Sequence, residues 1–326
     1  ILGDARTRLG HRVMDPKAQL VSEFVQSIRV PGYFPPLEEL RQQLLKAVQI
    51  LDEPAPTLAR KENLVLQGPV REMSARIYAP TAAGSGTLPV LAYFHGGGWV
   101  QGDLETHDGL CSRLSLWSKA MVVSFEYRLA PENKFPAAVE DCCAAYRWLL
   151  SHGEEIGADS SRVAVAGDSA GGNLAAVVCQ QMRRDDLPLP TFQVLLYPVT
   201  NMAFDTLSHS ERIEDGFIPR DRLDWYFQQY LRGNTDRTDP RASPLQAEDF
   251  SEQPPALIIF GGFDPLRDDG RFYAERLSSA GVDVTVHEYP GQIHAFLSLT
   301  KAIPQGIRAT REVADYMKRQ FLVTSA

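Results

Sequence analysis

The apolar run Val163-Ala164-Val165-Ala166 passes directly into Gly167-Asp168-Ser169-Ala170-Gly171-Gly172, and a helix-forming segment opens at Ala170. No other stretch of the 326 residues restricts the fold as tightly. A strand that ends in G-x-S-x-G and continues as a helix must reverse in a sharp turn, with the serine at its tip in a strained conformation. Strand and helix then close on each other, so the positions two before and two after the serine have no room for a side chain. Gly167 and Gly171 occupy them. The Ser169 hydroxyl is lifted clear of the backbone, where it can act as a nucleophile. Five residues are weak proof alone: with glycine at about 7% and serine similar, roughly one chain in ten of this length carries the pattern by chance.

A second motif supplies what a serine nucleophile needs. His95-Gly96-Gly97-Gly98 follows the apolar run Val90 to Phe94. With seven histidines in the chain, the chance expectation for His-Gly-Gly-Gly is about 0.003. The glycines let the backbone bend so that the amides of Gly96 and Gly97 point at one spot, and the Ala170 amide at a helix N-terminus completes an oxyanion hole. His95 reads as the anchor of that loop rather than a base. A phosphate cradle would need a G-K-[ST] ending or a G-x-G-x-x-G spacing, and neither is present.

The serine needs a base, and the base an orienting carboxylate. Asp264 lies just past the apolar run 255–261 and His294 just past the run 282–289. Both fall where strand ends meet loops, in the order Ser, Asp, His. His287 falls inside a strand, His11, His152 and His209 in polar, surface-like segments, and His107 before the nucleophile. Asp268 is the rival acid but falls inside the following helix; Glu288 is weaker still. Asp168 reads as a structural partner of the elbow rather than a proton donor.

The rest of the chain organises around these motifs. Asp15 and Pro16 open a helix with Leu20, Val21, Phe24, Val25 and Ile28 on one face. After a proline-punctuated break at 30–36, a second helix carries Leu37, Leu40, Leu44, Val48 and Leu51. Strands are expected at 64–66, 75–78, 90–94 and 121–125. Helix 136–151, strand 162–166, a helix from Ala170, strand 192–197, strand 255–261, helix 267–280, strand 282–289 and helix 305–321 then follow. Thr81 to Thr87 reads as a surface turn. Strands alternating with helices imply an α/β fold with a parallel sheet covered on both faces. Residues 203–240 interrupt the alternation, polar at first and helical from about Asp221, and an insertion of this length reads as a functional cover. Residues 1–58 and 203–240 are therefore expected to form a cap, and 59–202 with 241–326 the catalytic core. Trp99, Tyr197, Phe217 and Phe34 are candidates to line the pocket.

Composition narrows the partners. A net charge of −8 argues against phosphate backbones and anionic lipid. No apolar run approaches the roughly 18 residues that span a bilayer, and Ile1 to Arg12 lack the apolar core of a signal peptide. Cys111, Cys142, Cys143 and Cys179 show no CxxC spacing and read as small buried thiols in a reducing, cytoplasmic setting. The expected partner is a small-molecule ester, with no nucleic acid and no membrane; a homodimer is allowed but not required.

With these motifs in hand, the chain resembles the bacterial hormone-sensitive-lipase-like carboxylesterases, also called family IV. The match spans roughly residues 60 to 300 and rests on His95-Gly96-Gly97-Gly98-Trp99-Val100 with Gly102-Asp103, Tyr127-Arg128-Leu129-Ala130-Pro131-Glu132, Gly167 to Asn173 and Asp264-Pro265-Leu266-Arg267-Asp268. The resemblance implies the α/β-hydrolase fold: an eight-stranded, mostly parallel sheet flanked by helices, under a helical cap. It also implies cleavage of short- to medium-chain acyl esters with no metal or organic cofactor, and it puts nucleophile, acid and base at Ser169, Asp264 and His294. Amide or lactone cleavage would use the same triad. A non-catalytic receptor such as the plant gibberellin receptor, which resembles this family, has lost the catalytic histidine that His294 supplies here. A true lipase is disfavoured because the cap segments show no long exposed apolar face. At the base the family has His-Gly-Phe where this chain has His294-Ala295-Phe296. Alanine there implies negative φ at residue 295, so Ala295→Gly should be slightly destabilising.

Overall fold

The computed structural model describes residues 7–30, 32–84, 86–211 and 217–323. The first six residues of the segment read as lacking a signal peptide, Pro31 in the proline-rich break, Ser85 in the 81–87 turn and residues 212–216 of the insertion lie outside the described residues. Eight strands form one sheet: β1 (Arg60–Gln67), β2 (Glu72–Ala79), β3 (Leu88–Phe94), β4 (Met121–Phe125), β5 (Ala158–Asp168), β6 (Gln193–Leu196), β7 (Ala256–Phe263) and β8 (Val284–Ile293). Their spatial order is β8-β7-β6-β5-β3-β4-β2-β1. The pairs from β8 to β4 are parallel, while β2 pairs antiparallel with both β4 and β1.

Alternation along the strands divides the core in two. Val90, Ala92 and Phe94 of β3, with Val163 and Val165 of β5, pack beneath helices α4 (Ala137–His152), α5 (Ala170–Arg184) and α8 (Arg267–Ser279). Leu91, Tyr93, Ala164 and Ala166 face the other way, against α3 (Asp108–Ser118) and α9 (Gln305–Val323). A sheet covered on both faces needs near-continuous apolar strands, and β3, β4 and β7 meet that requirement. The chain order reverses at β3, which lies between β4 and β5. In open α/β sheets such a reversal opens a crevice at the carboxyl ends of the strands.

The first N-terminal helix forms as its cap predicts. Asp15 Oδ1 accepts the N–H groups of Lys17 (2.8 Å) and Ala18 (3.3 Å) at the start of α1 (Pro16–Ile28). Helix α2 (Leu37–Leu51) lies over the cleft, with Arg41 donating to the Val100 carbonyl at 2.8 Å and paired with Glu132. The insertion contributes a four-residue turn of helix, α6 (Leu207–Ser210), and α7 (Arg220–Tyr230). Lys134 Nζ donates to the carbonyls of Gln228, Gln229 and Leu231, each at 2.8 Å, and so caps the carboxyl end of α7. Phe34 stacks on Trp225 with centroids 4.8 Å apart, joining the N-terminal segment to α7. Among the described residues no helix is long and apolar enough to cross a membrane.

Two elements had no sequence signal. A short antiparallel ribbon pairs Arg8–Leu9 with Arg12–Val13. Helix α3 is buried on nearly all sides, Ser112, Arg113 and Ser115 included, so it has no polar face to betray its period. One expectation also fails: α1 does carry an exposed apolar stripe, with Leu20, Phe24 and Ile28 open to solvent.

Arg113 of α3 holds α2 to the core. Its guanidinium lies 2.7 Å from Asp52 at the end of α2, both side chains are almost fully buried, and the Asp52 carboxylate also takes the Thr300 backbone N–H. Breaking a buried pair from one side strands the other charge. Asp52→Ala should therefore cost about 3 kcal/mol of stability in urea titrations; a change below about 0.5 kcal/mol would show that the pair is solvated.

Candidate active site

The elbow is set by an approach that only glycine tolerates. A Cβ on Gly171 would overlap the Phe94 carbonyl at the end of β3, and one on Gly167 would overlap the Gly171 carbonyl. Between them Ser169 adopts φ 54°, ψ −116°. Its N–H donates to the Leu196 carbonyl at 2.8 Å, and Asn173 in the first turn of α5 donates to the carbonyls of Val199 (2.9 Å) and Ala242 (2.7 Å). The strained tip is thus held from several sides.

Three side chains from three loops meet here. His294, one residue beyond β8, places Nε2 2.9 Å from Ser169 Oγ and Nδ1 2.8 Å from Asp264 Oδ2. Asp264 is fully buried just past β7, and its other oxygen accepts the Leu266 N–H at 2.8 Å. A carboxylate at Nδ1 fixes the proton there, so Nε2 presents its lone pair to the serine O–H. The rival carboxylate of Asp268 is engaged elsewhere, with Arg267 at 2.9 Å and the Ser208 N–H at 2.9 Å. Among the other histidines, His209 departs from its surface reading. It is buried, with Nε2 2.9 Å from the Oδ1 of Asp269.

The glycine loop differs from expectation at one position. The Gly96 N–H is not free to face an oxyanion, because it donates to Asp168 Oδ1 at 2.9 Å. Among the described residues no acceptor takes the N–H groups of Gly97 and Gly98. Both have positive φ, 119° and 62°. A Cβ would meet the Gln101 carbonyl at Gly97 and the Tyr226 ring at Gly98. The shift is one residue along the motif; Ala170 keeps its place at the first turn of α5. His95 anchors the loop, with Nδ1 2.8 Å from the Gly96 carbonyl and its ring stacked on Tyr127 at 4.3 Å. Burial, aided by the neighbouring His107, pushes its pKa down to about 4, so the ring is neutral near pH 7.

Above the serine lies a cleft of about 750 Å³ with mainly apolar walls. Trp99 and Phe217 line it as expected from their positions, and Leu44, Val48, Leu223 and Tyr226 complete its roof. Trp99 is also stacked on Tyr230 at 4.3 Å. Tyr197 and Phe34 do not line the cleft. Tyr197 lies behind the base, its ring 4.7 Å from that of His294, and Phe34 spends its face on Trp225. The roof residues carried a signal in the sequence, the 3–4 spacing of Leu40, Leu44 and Val48, but that spacing serves packing and substrate contact alike.

A half-buried serine hydrogen-bonded in line to a buried histidine and a buried aspartate beneath a glycine loop, on a sheet of this topology, is the arrangement of a serine hydrolase. A family model described as alpha/beta hydrolase fold matches residues 91–298. The carboxylic ester hydrolase LipN of Mycobacterium tuberculosis is 47% identical over 263 residues, 78% of this chain and 69% of that protein. The ethyl acetate hydrolase of Pseudomonas putida is 40% identical over 228 residues, 69% of this chain and 70% of that protein. Among solved structures, the ester-hydrolase EH1AB1 from the metagenome of Lake Arreo, complexed with a bipyridine phosphonate derivative, superposes with a TM-score of 0.90. It is 40% identical, and the match covers 94% of this chain and 99% of that one. The chain belongs to the alpha/beta hydrolase fold family, among its hormone-sensitive-lipase-like esterases.

Ala295 overturns the expectation made for it. It adopts φ 62°, ψ 16°, the left-handed region. The chain leaves β8 at Ile293 and enters a 3₁₀ turn at Phe296–Ser298, and the reversal between them falls on residue 295. An alanine there carries about 1–2 kcal/mol of strain, partly offset by the lower entropy of its unfolded chain, about 0.4–1 kcal/mol. The sign of the expected effect therefore reverses: Ala295→Gly should stabilise the protein by up to about 1 kcal/mol, read as a higher Tm by calorimetry. A lower Tm would mean that the methyl group's packing outweighs the strain.

Proposed function

We propose that this chain is a serine carboxylesterase that cleaves short- to medium-chain acyl esters through an acyl-enzyme intermediate. The observation that carries the reading is the continuous line of hydrogen bonds from Ser169 through His294 to Asp264, next to two backbone amides without acceptors. Ser169 Oγ attacks the ester carbonyl as His294 Nε2 takes its proton. The N–H groups of Gly97, Gly98 and Ala170 receive the charge that develops on the carbonyl oxygen. Collapse of the tetrahedral intermediate breaks the bond to the alkoxy group, which leaves with the proton from His294. Water then repeats the sequence on the acyl-enzyme, and the acid product departs. Asp264 keeps the imidazole in its tautomer and offsets its positive charge at each stage.

Residues 1–58 and 203–240 act in this reading as the cap, and 59–202 with 241–326 as the catalytic core. The names of the relatives, a carboxylic ester hydrolase and an ethyl acetate hydrolase, support an ester substrate. Four buried thiols fit a reducing, cytoplasmic setting.

Ser169→Ala should lower kcat on p-nitrophenyl butyrate by about three orders of magnitude or more with folding intact. Intact mass after exposure to an aryl phosphonate should show one adduct on the wild type and none on the variant. Retention of more than about a tenth of the turnover would overturn the nucleophile assignment. The roof of α2 and α7 limits the acyl group, so kcat/KM should be highest for chains of roughly two to eight carbons. Equal or better turnover of emulsified long-chain triglyceride would contradict a closed pocket.

A further inference from the structure

Asp168 directly precedes Ser169, and its carboxylate sits in a buried knot beside the cleft. Oδ1 accepts the Tyr93 hydroxyl at 2.7 Å and the Gly96 N–H at 2.9 Å. His107 Nε2 lies 3.1 Å from Oδ1 and 3.2 Å from Oδ2. Both side chains are only 6% exposed. A Cβ on Gly96 would overlap this carboxylate, so glycine at 96 lets the loop rest on Asp168.

The polar neighbours of His107 suit a ring that donates from both nitrogens. Its Nδ1 lies 2.9 Å from Thr106 Oγ1, whose single proton goes to the Asp103 carbonyl at 2.9 Å while the same oxygen accepts the Asp103 N–H at 2.9 Å. With the hydroxyl proton on that carbonyl, Nδ1 donates to Oγ1. Nε2 faces a carboxylate and must donate as well. The Gly96 N–H is 3.3 Å from Nε2, farther than from Asp168.

We propose that His107 is a resident imidazolium whose pairing with Asp168 positions the glycine loop and cancels a carboxylate that would otherwise oppose the oxyanion. The idea rests on the esterase reading. An unpaired anion beside an apolar-walled cleft repels a developing oxyanion; a neutralised one serves as a strut that sets the neighbouring Gly97 and Gly98 amides. Burial works against charge on His107, but Asp168 overrides it and raises its pKa above the ordinary value. Burial likewise works against charge on Asp168, and His107 overrides it and lowers its pKa. The other titratable groups facing the pair are Asp103, which favours the cation, neutral His95, and the Tyr93, Tyr127, Tyr197 and Cys111 groups, all pushed upward by burial. For a histidine whose folded pKa is raised, the pairing is complete below the unfolded value of about 6.5 and is lost as pH rises through the folded value. Loop alignment, and with it kcat, should fall on that alkaline side.

Histidine-selective ¹⁵N NMR followed against pH should show His107 protonated on both nitrogens at about pH 6.5 and losing its proton above the ordinary imidazole value; a ring neutral at about pH 6.5 overturns the proposal. His107→Gln should lower kcat on p-nitrophenyl butyrate about 10- to 100-fold with KM within about threefold, and the alkaline decline should disappear. The Asp168→Asn/His107→Gln pair restores neutrality and should recover most of the loss. Wild-type kcat and pH profile in His107→Gln, or a double variant no better than the single one, would overturn it. If instead the wild type shows no ester turnover at all, the esterase reading itself fails.

Discussion

Every functional group described above depends on the contact between Gly171 and the Phe94 carbonyl. It brings the start of α5 against the end of β3, and so joins the serine turn to the glycine loop across two adjacent parallel strands. Any side chain at 171 would separate the two, and with them the nucleophile and the amides that face its target. The sheet order serves the same end. β3 and β5 are neighbours only because the chain crosses back over β3 after β4. Asp264 and His294 arrive from β7 and β8, the two strands beyond β6, at the same carboxyl edge.

Strain gathers at this edge. Of the eight non-glycine residues with positive φ among those described, Trp99, Ser169, Tyr197 and Ala295 line or back the site. Such conformations persist only where their surroundings over-determine them. Here the surroundings are specific: the Leu196 carbonyl for Ser169, the Ile259 carbonyl for Tyr197 and the Tyr230 ring for Trp99. The helices over the cleft are tied just as specifically. Arg12 reaches Glu211 of the insertion at 3.1 Å, and Glu211 pairs with Arg267 at 2.7 Å in the first turn of α8, three residues past Asp264.

The parts of this molecule legible in its sequence are those where one residue type answers one local demand. Glycine at 167 and 171 answers a close approach, and Asp15 before Pro16 answers the orphan amides of Lys17 and Ala18. The alternating strands and helices answer a sheet with two covered faces. The illegible parts depend on partners distant in the chain. Gly96, Gly97 and Gly98 are identical in sequence; only the carboxylate of Asp168, brought in by folding, decides which amide is occupied. His209 sits in a polar stretch, yet Asp269 draws it into the interior. Helix α3 hides its period because ion pairing and hydrogen bonding replace a solvent face. At residue 295 alanine suggests an easy backbone, yet the fold places it at φ 62°, where it marks a tolerated strain.

The division of labour along the cleft has a practical side. In the esterase reading the reacting groups and oxyanion amides come from strand-end loops at 97–98, 169–170, 264 and 294. The apolar roof comes from α2 and from 217–226, stretches some 170 residues apart; Tyr226 packs on Gly98, while Leu44, Val48, Phe217 and Leu223 face the cleft. Those four can therefore be varied independently of the reacting groups. A combinatorial library confined to positions 44, 48, 217 and 223 would reshape the acyl and alcohol volumes of the cleft while leaving every proton-transfer distance to the unchanged sheet edge, so the scaffold is naturally suited to the evolution of new selectivities.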